Sequence, residues 1–179
     1  MMLPDVVGIA LAGFLAWLLA TAGVHKLRHP AQFSELAAQY LPQPLRPLWR
    51  DQLVSPVGIL EVAIALALLL PQTRAAAALL AATLLTGYAL MMAWQLAQGR
   101  RDLRCGCAGP ASDVLVSPAL VLRNLLTAAL TLLLALPAGP FAVSASGILL
   151  ALCMAGFLIG LYLAAEQLIS NSQHMVKSR

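Results

Sequence analysis

The sequence predicts an all-α fold, a polytopic transmembrane bundle of four to five spanning helices with one short interfacial helix. Two observations lead to this prediction. Hydrophobic residues make up 61% of the chain and charged residues only 10%, whereas a soluble domain has about a quarter charged residues. Several apolar stretches are also long enough to cross a bilayer. We therefore expect residues 1–179 to form a single integral membrane domain whose outer surface contacts lipid.

Five apolar stretches approach the length of about 20 residues that a helix needs to cross the hydrocarbon core. Glu61 interrupts the second stretch and Arg123 the fourth, whereas the other three are uncharged. The predicted spans are Val6–Val24, Leu53–Leu70, Ala75–Gln98, Val116–Leu136 and Phe141–Ala165. Because no basic residue precedes the first stretch, it is not typical of a signal peptide, and we expect it to be retained.

The long segment between the first two spans predicts a short helix lying in the membrane interface. Its apolar residues recur at helical spacing, and several prolines follow them. The apolar stripe consists of Phe33, Leu36, Ala37, Tyr40 and Leu41.

The basic residues predict how the bundle is oriented. With five crossings, both long loops and the C-terminus lie on one side, together with almost all lysines and arginines; Arg74 lies on the other side. The positive-inside rule places the basic side in the cytoplasm. Since no basic run is interleaved with aromatic residues, we expect no nucleic-acid binding.

Two charges inside the predicted spans indicate a polar intramembrane site. Glu61 and Arg123 each lie five residues after the proline of a Val-Ser-Pro motif that opens a span. Both helices start from the same side, so we expect the two side chains to lie at similar depth and to pair. The alternatives are a purely structural ion pair, an arginine that snorkels to the interface, and a site that, with the adjacent Asn124, contacts a proton or a quinone head group.

The most specific motif is Cys105-Gly106-Cys107, in the loop after the third span. Strained or exposed disulfides are the exchangeable ones, and the arginines just before the motif favour the reactive thiolate. The motif therefore predicts a thiol–disulfide exchange pair. The alternatives are a soft-metal site, with His25 and His29 as further ligands, and a pair of inert loop cysteines.

Two further predictions concern basic residues at the membrane interface and the third cysteine. The basic residues His25 and Lys26 directly follow the first span, and Arg104 directly precedes the cysteine motif, so we expect all three to anchor the interface. Cys153 lies near the middle of the fifth span, where we expect a small, buried apolar side chain.

Taken together, these elements resemble the methylamine utilisation protein MauE family, within the wider MauE/DoxX group of redox-associated membrane proteins. The resemblance extends from the first span to the fourth, and the Cys-Gly-Cys element is its most specific part. One position departs from the family pattern, because Ala108 follows the second cysteine where an aromatic residue is expected. The matching elements are the segment 22–30 with Phe33, Gly58-Ile59-Leu60-Glu61, Cys105-Gly106-Cys107 with Gly109, and Arg123-Asn124.

The resemblance implies a multi-pass protein of the bacterial inner membrane that supports maturation of an exported, disulfide-containing protein alongside a thioredoxin-like partner. In the family this client is the small subunit of methylamine dehydrogenase. The implied redox pair is Cys105 and Cys107, the implied polar positions are Glu61 and Arg123, and no metal or cofactor is expected.

The sidedness of the cysteine loop leaves several interpretations open. The family's client is periplasmic, whereas the charge bias places the loop in the cytoplasm, so electrons are relayed across the membrane, the topology is inverted, or the client differs. Two other classes of function are a membrane protein for metal binding or small-molecule transport, with the Cys-Gly-Cys loop as ligands, and a structural assembly subunit.

Overall fold

The computed structural model describes residues 5–40, 54–106, 114–136 and 143–177. Within these ranges the regular structure is helical, apart from one isolated β-bridge, so the all-α prediction is confirmed. The helices are α1 (Asp5–Arg28), α2 (Pro30–Tyr40), α3 (Val54–Leu69), α4 (Arg74–Ala97), α5 (Pro118–Leu132) with a 3-10 extension (Leu133–Ala135), and α6 (Ala145–Lys177).

Four helices in the described ranges are long and apolar enough to cross a membrane, namely α1, α4, α5 with its extension, and α6. Helix α3 is strongly apolar but has only 16 residues, which gives a length of about 24 Å at 1.5 Å per residue, less than the hydrocarbon thickness of about 30 Å. The prediction of a polytopic bundle with four to five spanning helices is therefore confirmed.

The outward faces of these helices are apolar, most clearly on α6. Its side chains Leu149, Leu152 and Phe157 are each more than 60% exposed. Soluble monomeric proteins rarely expose contiguous apolar surfaces of this kind. In a bilayer the same side chains face lipid tails and need no protein partner.

Helix α1 lies at the centre of the bundle, where it packs against α3 and α6, while α4 packs against α5 and α3. The buried cluster between them includes Leu15 and Leu19 of α1 and Leu68 of α3, all with almost no exposure. Helix α4 contributes the small residues Ala77, Ala78 and Ala81. Small residues let membrane helices approach closely, and the resulting van der Waals contacts hold them together.

Helices α1 and α3 cross at a pair of glycines. A Cβ atom on Gly23 would lie 2.6 Å from the carbonyl oxygen of Gly58, and one on Gly58 would lie 3.1 Å from that of Gly23. The approach requires glycine at position 23 and leaves little room for a side chain at position 58. Lys26 and Glu61 each follow one of these glycines by three residues, which places them on the same helix faces as the crossing.

The described ends of the cysteine loop are held against the bundle. The Cys105 N–H donates to the Val114 carbonyl at 2.9 Å, and the Val116 N–H donates to the Leu103 carbonyl at 2.8 Å. The Gln173 side chain of α6 donates to the carbonyl of Leu115 and accepts from its N–H, both at 2.8 Å. A second buried cluster supports this loop and consists of Met92, Leu103, Val114, Val116 and Leu120.

Candidate functional site

A cavity of about 170 Å³ lies between α1, α2, α3, α4 and the start of the cysteine loop, with one further wall residue each from α5 and α6. Helix α2 contributes Phe33, Leu36, Ala37 and Tyr40 to its wall. These residues are the apolar stripe that predicted the short helix, apart from Leu41, which lies outside the described residues. The stripe therefore covers the cavity and packs on the bundle.

Glu61 lies in the wall of this cavity, fully buried, and it has three hydrogen bonds. The Lys26 ammonium of α1 donates to both carboxylate oxygens at 2.8 Å, and the Tyr88 hydroxyl of α4 donates to Oε1 at 2.7 Å. Lys26 and Tyr88 line the same cavity. A lone carboxylate here would be strongly destabilising, so the buried charge depends on these partners.

The predicted pairing of Glu61 with Arg123 is wrong. The spacing in the sequence gives the depth of each side chain below the membrane surface. It does not determine which helices are neighbours. The glycine crossing packs α3 directly against α1, so the cation that reaches Glu61 is Lys26. Lys26, which we expected to anchor the interface, is 16% exposed and bound inside the bundle.

Arg123 instead contacts α6. Its guanidinium carbon lies 4.7 Å from the ring centre of Tyr162, and its Nη1 lies 3.7 Å from Oε1 of Glu166. Arg123 is only 8% exposed, and none of its guanidinium nitrogens has a hydrogen-bond partner in the described part of the chain. A cation–π contact with Tyr162 and a loose ion pair with Glu166 therefore hold this charge.

Asn124 is the neighbouring polar residue of α5, and it does line the cavity. The residue is 4% exposed, and its Nδ2 has no hydrogen-bond partner among the residues that the structure describes. Buried polar groups in native proteins are almost always paired with protein, water or ligand. Asn124 thus offers an unused hydrogen-bond donor at the wall of the cavity.

Cys105 brings the cysteine motif to the same cavity. It is half-buried and disulfide-bonded, and its Sγ lies 3.7 Å from the Sδ of Met92. The next residue, Gly106, has a φ of 67°, a left-handed conformation that glycine adopts without steric cost. A Cβ atom there would also lie 3.2 Å from the Leu36 side chain. Cys107 lies outside the described residues.

Helix α2 is tied to the cysteine loop by hydrogen bonds at Tyr40. The Tyr40 hydroxyl donates to the Arg104 carbonyl at 2.7 Å, and the Gln95 side chain donates to the Tyr40 carbonyl at 2.9 Å. Burial raises the pKa of Tyr40 to about 12, although Arg100 lowers it in part. The hydroxyl therefore keeps its proton at physiological pH. The Arg100 guanidinium binds Gln39 and Gln95.

Other residues singled out in the sequence lie away from the cavity. His25, His29 and Arg104 are exposed, and no cluster of three or more metal-binding side chains occurs in ranges 5–40, 54–106, 114–136 and 143–177. The expectation that Cys153 is buried is wrong, because this free cysteine is exposed on α6.

Sequence reasoning missed the roles of Lys26 and Tyr88. The signal for Lys26 is the matching spacing of Gly23 to Lys26 and of Gly58 to Glu61. Tyr88 lies within an uncharged stretch whose pattern indicates nothing beyond a spanning helix.

Comparisons with known proteins agree with the resemblance. The family model described as methylamine utilisation protein MauE matches residues 4–138. The methylamine utilization protein MauE of Paracoccus denitrificans is 36% identical over 126 residues, covering 70% of this chain and 67% of the relative. The protein of the same name from Methylophilus methylotrophus is 33% identical over 162 residues, covering 87% and 82%.

No solved structure matches the chain at a significant level. The matched region contains the glycine crossing, the Lys26–Glu61 pair, the cysteine motif and Asn124, and it ends before α6. The chain therefore belongs to the MauE family of methylamine utilisation proteins.

Proposed function

We propose that this protein is a thiol–disulfide exchange factor of the bacterial inner membrane that supports maturation of an exported, disulfide-containing protein. The observation that supports this most strongly is the disulfide at Cys105, set in the wall of a cavity within an apolar helical bundle. A cysteine that only stabilised a loop would not need to line such a cavity.

In this proposal the exchanging pair is Cys105 and Cys107. Cys153 is free on the outer face of α6, so Cys107 is the partner that the sequence offers. A client thiolate attacks one sulfur of the protein disulfide, forms a mixed disulfide, and is displaced by the client's second thiolate. The client gains its disulfide, and the pair is left as two thiols.

The proposed partners are those that the family resemblance implies. Both relatives bear a name that refers to methylamine utilisation, and in the proposal the client is the small subunit of methylamine dehydrogenase or a similarly exported protein. A thioredoxin-like protein acts beside it. The basic residues favour a cytoplasmic cysteine loop. With that orientation the attacking thiolate belongs to the thioredoxin-like partner, and electrons from an exported client are relayed across the membrane; with the loop on the other side, the client attacks directly.

Thiol trapping in isolated membranes tests the proposal. Membranes are equilibrated in a series of thiol–disulfide buffers and the thiols are then labelled with a maleimide that changes gel mobility. We expect two labels to appear together as the buffer becomes reducing and to disappear on reoxidation. Cys105→Ser and Cys107→Ser should each abolish this paired change, whereas the matched control Cys153→Ser should retain it.

If both sulfurs keep one state across all buffers, thiol exchange is excluded. An impermeant maleimide, added to sealed vesicles of each orientation, shows which side of the membrane the loop faces.

A further inference from the structure

We propose that the cavity binds a lipid-soluble quinone, which reoxidises the Cys105 thiol pair after each exchange. This inference rests on the proposed exchange function and adds the electron acceptor. Three features support it, namely the size and apolar walls of the cavity, two nitrogen donors on its wall, and the sulfur of Cys105 in the same wall.

The size and walls of the cavity suit one substituted six-membered ring. Its volume of about 170 Å³ is slightly larger than an engineered cavity of about 150 Å³ that binds benzene. Leucine, valine and methionine side chains form much of the lining, so a flat apolar ring is favoured over a charged metabolite. Helices α1 and α4, which line the cavity, are long and apolar enough to cross a membrane, so the cavity lies within a bundle where lipid-dissolved ligands are concentrated.

Asn124 distinguishes a quinone from a lipid acyl chain. Its Nδ2 lacks a partner within the described ranges although the residue is 4% exposed and lines the cavity. A buried donor without an acceptor is destabilising. A quinone carbonyl oxygen supplies that acceptor, whereas an acyl chain has none.

Lys26 provides a second donor with a positive charge. An ammonium group has three N–H donors, and two of them bind the oxygens of Glu61. The third is available to a ligand, since Lys26 lines the cavity. A fixed cation stabilises the negative charge that develops on a quinone oxygen as the ring accepts electrons. Glu61 and Tyr88 hold the ammonium in position.

The redox step balances with the quinone as the oxidant. Two thiols lose two electrons and two protons and form one S–S bond, while the quinone takes up both electrons and both protons and becomes a quinol. Cys105 is the sulfur that meets the ring, because it lines the cavity. The disulfide is thereby restored for the next client.

The test uses the full-length protein in phosphatidylcholine nanodiscs, reduced with dithiothreitol, desalted without oxygen, and mixed with decylubiquinone. Quinone absorbance and thiol labelling are followed together. We expect one equivalent of quinol for each disulfide formed. Asn124→Leu should raise the quinone concentration for half-maximal rate about tenfold, as expected for one lost hydrogen bond to the quinone carbonyl. Asn171→Leu, at an exposed position of α6, is the matched control and should change nothing.

A second pair of variants keeps the test decisive if Asn124→Leu fails to fold. Ala37→Phe places a ring in the cavity and should reduce the rate at least tenfold, whereas Ala31→Phe, at an exposed position of the same helix, should have no effect.

Oxidation of the thiols to a disulfide by diamide but not by decylubiquinone would overturn the quinone inference and leave the exchange function intact. Failure of both oxidants to form the disulfide would remove both proposals. An equal quinone rate in Ala37→Phe and wild type would place the reaction outside the cavity and would also overturn the inference.

Discussion

The Lys26–Glu61 pair offers the sharpest test of the helix arrangement. Glu61 is 0% exposed and Lys26 is 16% exposed. Replacing Lys26 with methionine keeps most of the length of the side chain but removes the charge that binds both carboxylate oxygens. Removing one partner of a buried ion pair destabilises a protein by about 3–5 kcal/mol. Because Tyr88 still donates to one oxygen, we expect Lys26→Met to lose about 3 kcal/mol, the lower end of that range.

The assay is equilibrium unfolding in mixed detergent micelles, followed by circular dichroism. Arg28→Met is the matched control, since Arg28 is exposed in the same last turn of α1, and it should change stability by less than about 0.5 kcal/mol. The double variant Lys26→Met/Glu61→Met replaces both charges with apolar groups, and we expect it to recover about 2 kcal/mol or more of the loss. An effect of Lys26→Met no larger than that of Arg28→Met, or simple addition in the double variant, would refute the buried pair.

Three further substitutions test the crossing and the cysteine loop; the glycine variants are measured by thermal unfolding in one detergent, and Gln173→Ala is measured by thiol labelling. Gly23→Ala adds a Cβ atom that would lie 2.6 Å from the Gly58 carbonyl oxygen, so we expect a loss of about 1–3 kcal/mol. Gly87→Ala meets no atom within 4 Å and should be neutral or slightly stabilising; equal effects of the two would contradict the close crossing. Gly106→Ala forces a side chain into a φ of 67° and should cost at least about 1 kcal/mol. Gln173→Ala removes both bonds to Leu115 and, once the disulfide at Cys105 has been reduced, should make thiol labelling of Cys105 faster; an unchanged rate would show that α6 does not hold the loop.

Much of the fold follows from the sequence because a membrane imposes simple requirements. Apolar length and the absence of charge predict spanning helices, and the observed α1, α4 and α6 overlap the predicted stretches. The stripe in the first long loop predicts a short interfacial helix, and α2 forms there; that four residues of the stripe line a cavity is seen only in the structure.

The site was predictable only in part. The cysteine motif and Glu61 can be selected from single residues or short patterns, because intramembrane charges and close cysteine pairs are rare. Asn124 is selected only as the neighbour of Arg123 in the family resemblance. The partner of Glu61 could not be predicted from its depth, since which helices are neighbours depends on the Gly23–Gly58 contact between distant segments. For the same reason the cavity, which combines residues from α1 to α6, is visible only in three dimensions.

The bundle places a buried ion pair, the cysteine loop and an apolar cavity next to one another. The glycine crossing holds Lys26 against Glu61, Tyr40 ties α2 to the cysteine loop, and the space between them is an apolar cavity. In the proposed function the loop exchanges disulfides at the edge of the bundle, and a quinone in the cavity removes the electrons.

Trapping of mixed disulfides in cells tests thiol exchange most directly. A variant that retains a single sulfur of the pair, Cys105→Ser or Cys107→Ser, cannot resolve an intermediate and should accumulate a covalent adduct that dithiothreitol releases. The proposal predicts that mass spectrometry identifies the adduct as an exported disulfide protein or a thioredoxin-like protein, and that Cys153→Ser forms none. If neither single-sulfur variant yields a reductant-sensitive adduct, the cysteine pair does not exchange with a protein partner.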